Sequence, residues 1–412
     1  MTASACGGSA GGDDGEVTLR MSWWGSDSRH QLTQELIDAF EAEHPGITIE
    51  PEFTGWDDYW DRLATSAAGN NIPDVMQQDT RYVREYADRD ALLDLNEYIP
   101  GTLDTSKLDP SVTATGQVDG ATYAIPTGIN AYTVVTDPEI YQQAGMELPD
   151  DETWSWDEFI DTAAKLTRET PGGTYGTQNI GFVETGLEVF ARQRGESLFD
   201  ENDKLGVSDE TLADWFRLIL ESSERKAEPR PSLTVETQAG GVDQSLLATN
   251  KGAMGTWWTN ELPTLTGSAG HELTLLRFPG ESQAEQPGMY FKPAMFWAAS
   301  SRSEHPEEAA TFINWLVNSP KAAQIQLSDR GLPINTELRE RISDDLEAPD
   351  QQSAKFLEKI GTDLADPPAL PPPGAGEVQD ILLQINEQLL FGRLSADQAA
   401  QQFRDQASAA IG

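Results

Sequence analysis

Val17-Thr18-Leu19-Arg20-Met21-Ser22-Trp23-Trp24 opens the foldable part of this chain, and its reading decides the fold class. Val17, Leu19 and Met21 alternate with Thr18, Arg20 and Ser22, the two-residue period of a strand. The strand ends at Trp23-Trp24-Gly25-Ser26. A helix follows with Leu32, Leu36 and Phe40 on one face, and Pro45-Gly46 stops it. Ile47-Thr48-Ile49-Glu50 reads as a second strand. Residues 57–68 read as a helix, with Tyr59, Trp60, Leu63 and Ala67 at helical spacing. Pro73-Asp74-Val75-Met76 starts a short third strand that ends near Gln78-Asp79. This β-α-β-α order predicts a mainly parallel sheet with helices on both faces. Ligands of such sheets bind beyond the C-terminal strand ends, where Trp23-Trp24 and Gln78-Asp79 fall.

Farther along, Thr122 to Pro126 runs into Thr133-Val134-Val135, which reads as a strand passing from one lobe to another. Ser155 and Glu158 form a capping-box pattern at a helix start. Helices are predicted over 210–222 and 243–249. Gly252 to Thr256 reads as a strand ending at Trp257-Trp258, and Met289 to Ser300 as an extended apolar stretch. Pro306 opens a helix that carries Phe312, Trp315 and Leu316 inward. Asp366 to Pro373 is a proline-rich loop or strap. Two helices close the chain, the second capped by Ser395 and Gln398.

A chain of 412 residues calls for two lobes or domains rather than one simple core. Its 28 basic and 69 acidic residues give a net charge of −41 with no basic stripe. That field repels nucleic acid phosphates and anionic membrane surfaces. The apolar runs fall far short of the ~20 residues of a membrane span. The lone cysteine, Cys6, is followed by a Gly/Ser/Asp tether through Gly15. Ala3-Ser4-Ala5-Cys6 resembles the small-residue end of a lipoprotein signal. Cys6 is therefore the expected lipid anchor, with residues 1–15 a signal remnant and tether. The alternative is an incidental cysteine in a disordered terminus.

Catalytic and metal motifs mostly fail their own tests. There is no Walker A pattern and no GxGxxG fingerprint. The four histidines, His30, His44, His271 and His305, show no ligand pairing, so no metal is expected. Asp200-Glu201-Asn202-Asp203-Lys204 begins like a calcium loop, but Lys204 occupies the fifth position and no glycine the sixth. Asp57-Asp58 and Asp150-Asp151-Glu152 read as helix-dipole partners, so no catalytic residue and no cofactor is expected. The informative feature is aromatic placement. Among eleven tryptophans, Trp23, Trp24, Trp56, Trp60, Trp257 and Trp258 fall at strand or helix ends. Sugar C–H faces pack on flat aromatic rings, and sugar hydroxyls need a polar rim. Adjacent tryptophans on a strand point to opposite faces, so one of each pair is a candidate wall and the other core.

In order and spacing the chain resembles the extracellular solute-binding protein family 1, the maltose-binding-protein-like sugar-binding lipoproteins of bacterial ABC transporters. The resemblance lies in Leu19 to Gly25, Phe40-Glu41-Ala42-Glu43-His44-Pro45-Gly46-Ile47, and Asn71-Ile72-Pro73-Asp74-Val75. It continues in Thr153 to Phe159, Lys251-Gly252-Ala253-Met254, His305 to Leu316, and Gly331-Leu332-Pro333-Ile334-Asn335. It implies an α/β, two-lobed periplasmic-binding-protein type II fold whose discontinuous lobes are joined by a hinge. The implied N-lobe is 16–126 and 293–332, and the implied C-lobe 127–292 and 333–412. Crossovers would fall near Pro126-Thr127, Phe291-Lys292-Pro293 and Leu332-Pro333.

The resemblance further implies an oligosaccharide site built from Trp23 or Trp24, Gln78, Asp79, Thr127 to Asn130, Trp257 or Trp258, and Tyr290 to Lys292. It implies a monomer on the outer face of the cell membrane that hands sugar to permease subunits of an ABC transporter. Trp24 to His30 with Phe53 to Trp56 is similar to a subgroup taking plant-cell-wall oligosaccharides, including pectin fragments. There Arg29, Arg81 and Lys292 are candidates to pair with a uronate, the alternative being surface ion pairs in an acidic protein. Some relatives carry an aromatic before the C-terminal helices. Here that stretch is Pro371-Pro372-Pro373-Gly374-Ala375-Gly376. Competing classes are a secreted carbohydrate-active enzyme and an anchored binder of a non-sugar solute.

Overall fold

The strand Val17–Trp24 lies second in a five-stranded sheet, between Ile47–Thr54 and Val75–Gln78, and runs parallel to both. The computed structural model describes residues 16–200 and 202–412; Cys6 and its tether lie outside the described residues. Beyond Val75–Gln78 the sheet continues with Phe296–Ala299 and then Ala124–Pro126. Phe296–Ala299 is antiparallel to both of its neighbours. Four of the five strands therefore run in one direction, as expected of a mainly parallel sheet, and Phe296–Ala299 alone runs against them. The reason is connectivity: the chain leaves this sheet at Pro126 and inserts a distant strand on its return, with no βαβ crossover to impose a parallel direction.

The expected continuous strand from 122 to 135 is broken into three. Ala124–Pro126 belongs to the first sheet, and Tyr132–Thr136 is the centre of a second, antiparallel sheet with Met254–Trp258 and Thr274–Leu276. Between them Gly128–Asn130 pairs with both Lys292–Pro293 and Leu332–Pro333 in a small antiparallel ribbon. A Cβ on Gly128 would meet the Arg330 and Leu332 carbonyl oxygens at 2.6 Å, so the ribbon closes only around glycine.

Helices cover the sheets as their apolar stripes require. Asp27–Glu43 buries Leu36, Ile37 and Phe40, and Trp56–Ala68 covers the opposite face with Tyr59 and Leu63. Helices Asp209–Glu224, Val378–Leu390 and Ala396–Ile411 build the second lobe's core around Trp215, Phe216, Leu382, Ile385 and Phe403. The capping boxes at Ser155/Glu158 and Ser395/Gln398 are both formed. The helix expected over 243–249 is absent: a 3-10 turn, Val242–Gln244, is followed by irregular turns. Gly241 and Asn250 hold positive φ, and the Gln178 side-chain oxygen accepts the Leu246 N–H, so local polar bonds displace the helical ladder.

Candidate functional site

Val75–Gln78 ends at the cleft between the lobes, and Asp79 turns the chain into the helix Val83–Asp88. The Asp79 carboxylate accepts the Arg81 backbone N–H at 3.1 Å and its Nε–H at 2.8 Å. Burial alone would raise the Asp79 pKa, but the charges of Arg81 and Lys292 hold it below the ordinary carboxylate value. Burial likewise works against the Arg81 charge, and Asp79 and Glu184 more than restore it. The Arg81 guanidinium lies 5.1 Å from the Trp56 ring centroid.

A cavity of about 330 Å³ opens here, with Thr80, Arg81 and Arg84 on the first-lobe side. The second lobe supplies Glu184 and Glu188 from the helix Glu184–Arg192, with Phe199, Tyr290 and Lys292. The strap Pro367 to Pro371 forms much of the apolar wall. It is tied down by Arg192, whose Nη2 donates to the Asp366 carbonyl at 2.6 Å and whose Nε donates to the Gly288 carbonyl at 3.1 Å. The same guanidinium stands 5.1 Å from the Tyr290 ring centroid. An ion pair spans the cleft, Arg84 Nη1 to Asp203 Oδ1 at 2.7 Å.

Glu188 is 5 % exposed. Its Oε2 accepts the Leu198 N–H at 2.6 Å, whereas Oε1 has no hydrogen-bond partner and lies 3.9 Å from Arg192 Nη1. Burial pushes this carboxyl up to about 7 against the opposing pull of the Leu198 N–H and Arg192. A neighbouring cavity of about 220 Å³ is lined by Trp257, Trp258, Tyr132 and Glu261. Lys292, which lines the first, places Nζ 4.9 Å from the centroid of the Trp258 ring, which lines the second.

The structure divides the residues expected at the site. Tyr290 and Lys292 line the larger cavity, and Trp257 and Trp258 both line the smaller one, so that pair is not split into wall and core. Asp79 backs the cavity through Arg81. Trp23 is a correction: it is fully buried, donates Nε1–H to His30 Nδ1 at 3.1 Å and packs on Phe53, so it is core. Trp24 is also buried, in an aromatic cluster with Trp56, Tyr59 and Trp60. Arg29 does not reach either cavity; its Nε pairs with Asp329 at 2.8 Å and Nη2 donates to the Asp329 carbonyl. Thr127 donates to the Met295 and Arg330 carbonyls in the ribbon region. Asn130 is buried and accepts from Thr259 at 3.4 Å. Gln78 is fully buried with neither amide atom paired.

Sequence reasoning missed Arg84, Glu184, Glu188 and Phe199, and found the strap without its role. The signal available for Glu188 was an acidic residue in an otherwise apolar helical run, Leu187-Glu188-Val189-Phe190-Ala191. Among the described residues no group of three or more His, Cys, Asp or Glu side chains could hold a metal ion.

The family model for bacterial extracellular solute-binding proteins matches residues 35–351. The chain belongs to that family. A lipoprotein encoded in the oleD 5′ region of Streptomyces antibioticus is 25% identical over 79% of this chain and 72% of its own length. An arabinooligosaccharide-binding protein of Halalkalibacterium halodurans is 26% identical over 47% of this chain and 43% of its own length. Among solved structures, the periplasmic oligogalacturonide-binding protein of Yersinia enterocolitica with saturated digalacturonic acid superposes with a TM-score of 0.81. It is 23% identical, over 96% of this chain and 99% of that one. Solute-binding proteins of this family bind rather than transform their solutes.

Proposed function

We propose that this protein binds oligosaccharide in the cleft between its lobes and delivers it to the permease of an ABC transporter. The observation that carries the reading is the interlobe cavity of about 330 Å³, in which an apolar wall of Tyr290, Phe199 and prolines faces charged and hydroxyl groups. That mixture suits a ring with C–H faces and a hydroxyl rim. Trp258 beside Lys292 supplies a flat face for a second sugar unit in the adjoining cavity. The arabinooligosaccharide- and oligogalacturonide-binding relatives support the class, as does the sequence likeness to binders of plant-cell-wall and pectin fragments. The ribbon of Gly128–Asn130, Lys292–Pro293 and Leu332–Pro333 is the hinge in this reading, and its pairing supports the lobe boundaries 126/127, 292/293 and 332/333 that the family resemblance implies. The lipoprotein relative supports Cys6 as a lipid anchor that holds a monomeric binder at the outer face of the cell membrane.

The test is a glycan array read by thermal shift, since a ligand that binds only the folded state raises Tm. A neutral or charged oligosaccharide is expected to raise Tm, with no cleaved product by chromatography. A panel in which only amino acids, peptides or polyol phosphates raise Tm would replace sugar by that solute. Product formation would make the protein an enzyme.

A further inference from the structure

We infer that the cleft selects its glycan by charge: it takes chains whose polar groups are hydroxyls or ammonium groups, and it discriminates against uronic acids. The inference rests on the carbohydrate reading above and narrows it. Three cations line the larger cavity, Arg81, Arg84 and Lys292. Five acidic side chains line it as well, Asp119, Glu184, Glu188, Asp200 and Asp203, of which Glu188 is the one that burial drives toward its neutral form. The cations are not open to a ligand anion on equal terms. Arg81 is held by Asp79 at 2.8 Å and Arg84 by Asp203 at 2.7 Å. Lys292 has no carboxylate oxygen within 4.0 Å among the described residues, but it lies over Trp258 and close enough to Asp79 to help keep it ionised. A uronate drawn to Lys292 would thus enter the field of Asp79, and like charges brought together oppose binding.

The opposite wall carries the unmet group. Glu188 is 5 % exposed and its Oε1 has no hydrogen-bond partner. Arg192, the nearest cation, is 3.9 Å away and already donates to the Gly288 and Asp366 carbonyls. A buried acceptor without a donor is costly, and a ligand that brings one gains by satisfying it. A hydroxyl or an ammonium group is such a donor; the carboxylate of a uronate is not, so Glu188 disfavours a uronate wherever its carboxylate, rather than a ring hydroxyl, is set against Oε1. The surplus of carboxylates over cations in the wall acts in the same direction.

The experiment is calorimetric titration of the whole chain with oligogalacturonate, neutral galactose and arabinose oligomers, and a glucosamine oligomer, all of equal length. At least one neutral or amino oligomer is expected to bind, with oligogalacturonate weaker by about tenfold or more, the scale of one misplaced like charge. The variant Glu188→Gln is expected to narrow that gap severalfold while retaining a cooperative melt. The wild-type comparison stands without it. Oligogalacturonate binding as tightly as the best neutral chain overturns the inference and leaves the carbohydrate reading intact. If none of these oligomers and no member of the glycan array binds saturably, the carbohydrate reading fails and the inference with it.

Discussion

The two lobes end strands with the same residue types and put them to opposite uses. In the first lobe Trp23-Trp24 ends a strand with partners on both sides and helices on both faces, so both rings are buried. In the second lobe Trp257-Trp258 ends an edge strand, and both rings stay half-buried against a cavity. The carboxylates divide in the same way. Asp79 is matched by Arg81 and kept ionised, whereas Glu188 is left without a donor on Oε1 and pushed up to about 7. The contrast teaches that the place of a strand in its sheet, not its local sequence, decides whether a terminal aromatic serves the core or a ligand.

The largest effect that would break this contrast is on stability. Trp23→Ala is expected to cost about 3–5 kcal/mol, the range for deleting a buried aromatic. Chemical denaturation reads it as a lower midpoint. A loss under 1 kcal/mol would mean that Trp23 is not core.

The carboxylates sharpen the contrast through pH. Glu188 has a folded pKa of about 7 against an ordinary 4.5, so its contribution to stability is full below about 4.5 and is lost as pH rises through 7. Glu228, which is buried, and Glu261, which is partly buried, are also raised to about 7 and share that sign. Asp79 has the opposite sign: its contribution is present above the unfolded value and is lost as pH falls through its lower folded value. Glu188→Gln should therefore flatten the fall in unfolding free energy between pH 5 and 8, by an amount of order 3 kcal/mol, read as a flatter Tm profile. Asp79→Asn should instead lower Tm at neutral pH and lose that penalty in acid. Parallel pH profiles for the two variants would contradict the assignment.

Trp258→Ala tests the second lobe's side of the comparison. The expected loss is about tenfold or more in glycan affinity, about 1.4 kcal/mol, with a smaller change in Tm than Trp23→Ala causes. The smallest effect belongs to the Arg84–Asp203 pair across the cleft. Arg84 and Asp203 are partly exposed, so Arg84→Ala should change stability by about 0–1 kcal/mol. Its readout is kinetic: a severalfold faster ligand release in stopped flow, diminishing with salt in the wild type. An unchanged release rate would leave the pair without a role in closure.

Much of this arrangement was legible in the chain. Alternation at Val17, Leu19 and Met21 and helical spacing at Leu36 and Phe40 are local signals, and they found the first three strands and their helices. The strand Phe296–Ala299 between Val75–Gln78 and Ala124–Pro126 was not legible, because pairing over more than 200 residues leaves no mark within a window of ten. For the site, Trp258 stood at a strand end and could be named from the pattern, whereas Tyr290 and Lys292 came from the family resemblance. Glu188 was missed: its one signal was its place inside the apolar run Leu187 to Ala191, which marks burial but not a cavity wall. The burial of Trp24 depends on Trp56, Tyr59 and Trp60 from the next helix, a contact that spacing alone does not predict.

The most direct measurement of the central claim is an equilibrium titration of the whole chain with neutral oligosaccharides, followed by tryptophan fluorescence. The account predicts saturable one-site binding that shifts the emission, that Trp258→Ala weakens and Trp23→Phe leaves in place, and that returns the sugar uncleaved. Saturable binding unaffected by Trp258→Ala, or no saturable binding by any oligosaccharide, would contradict it.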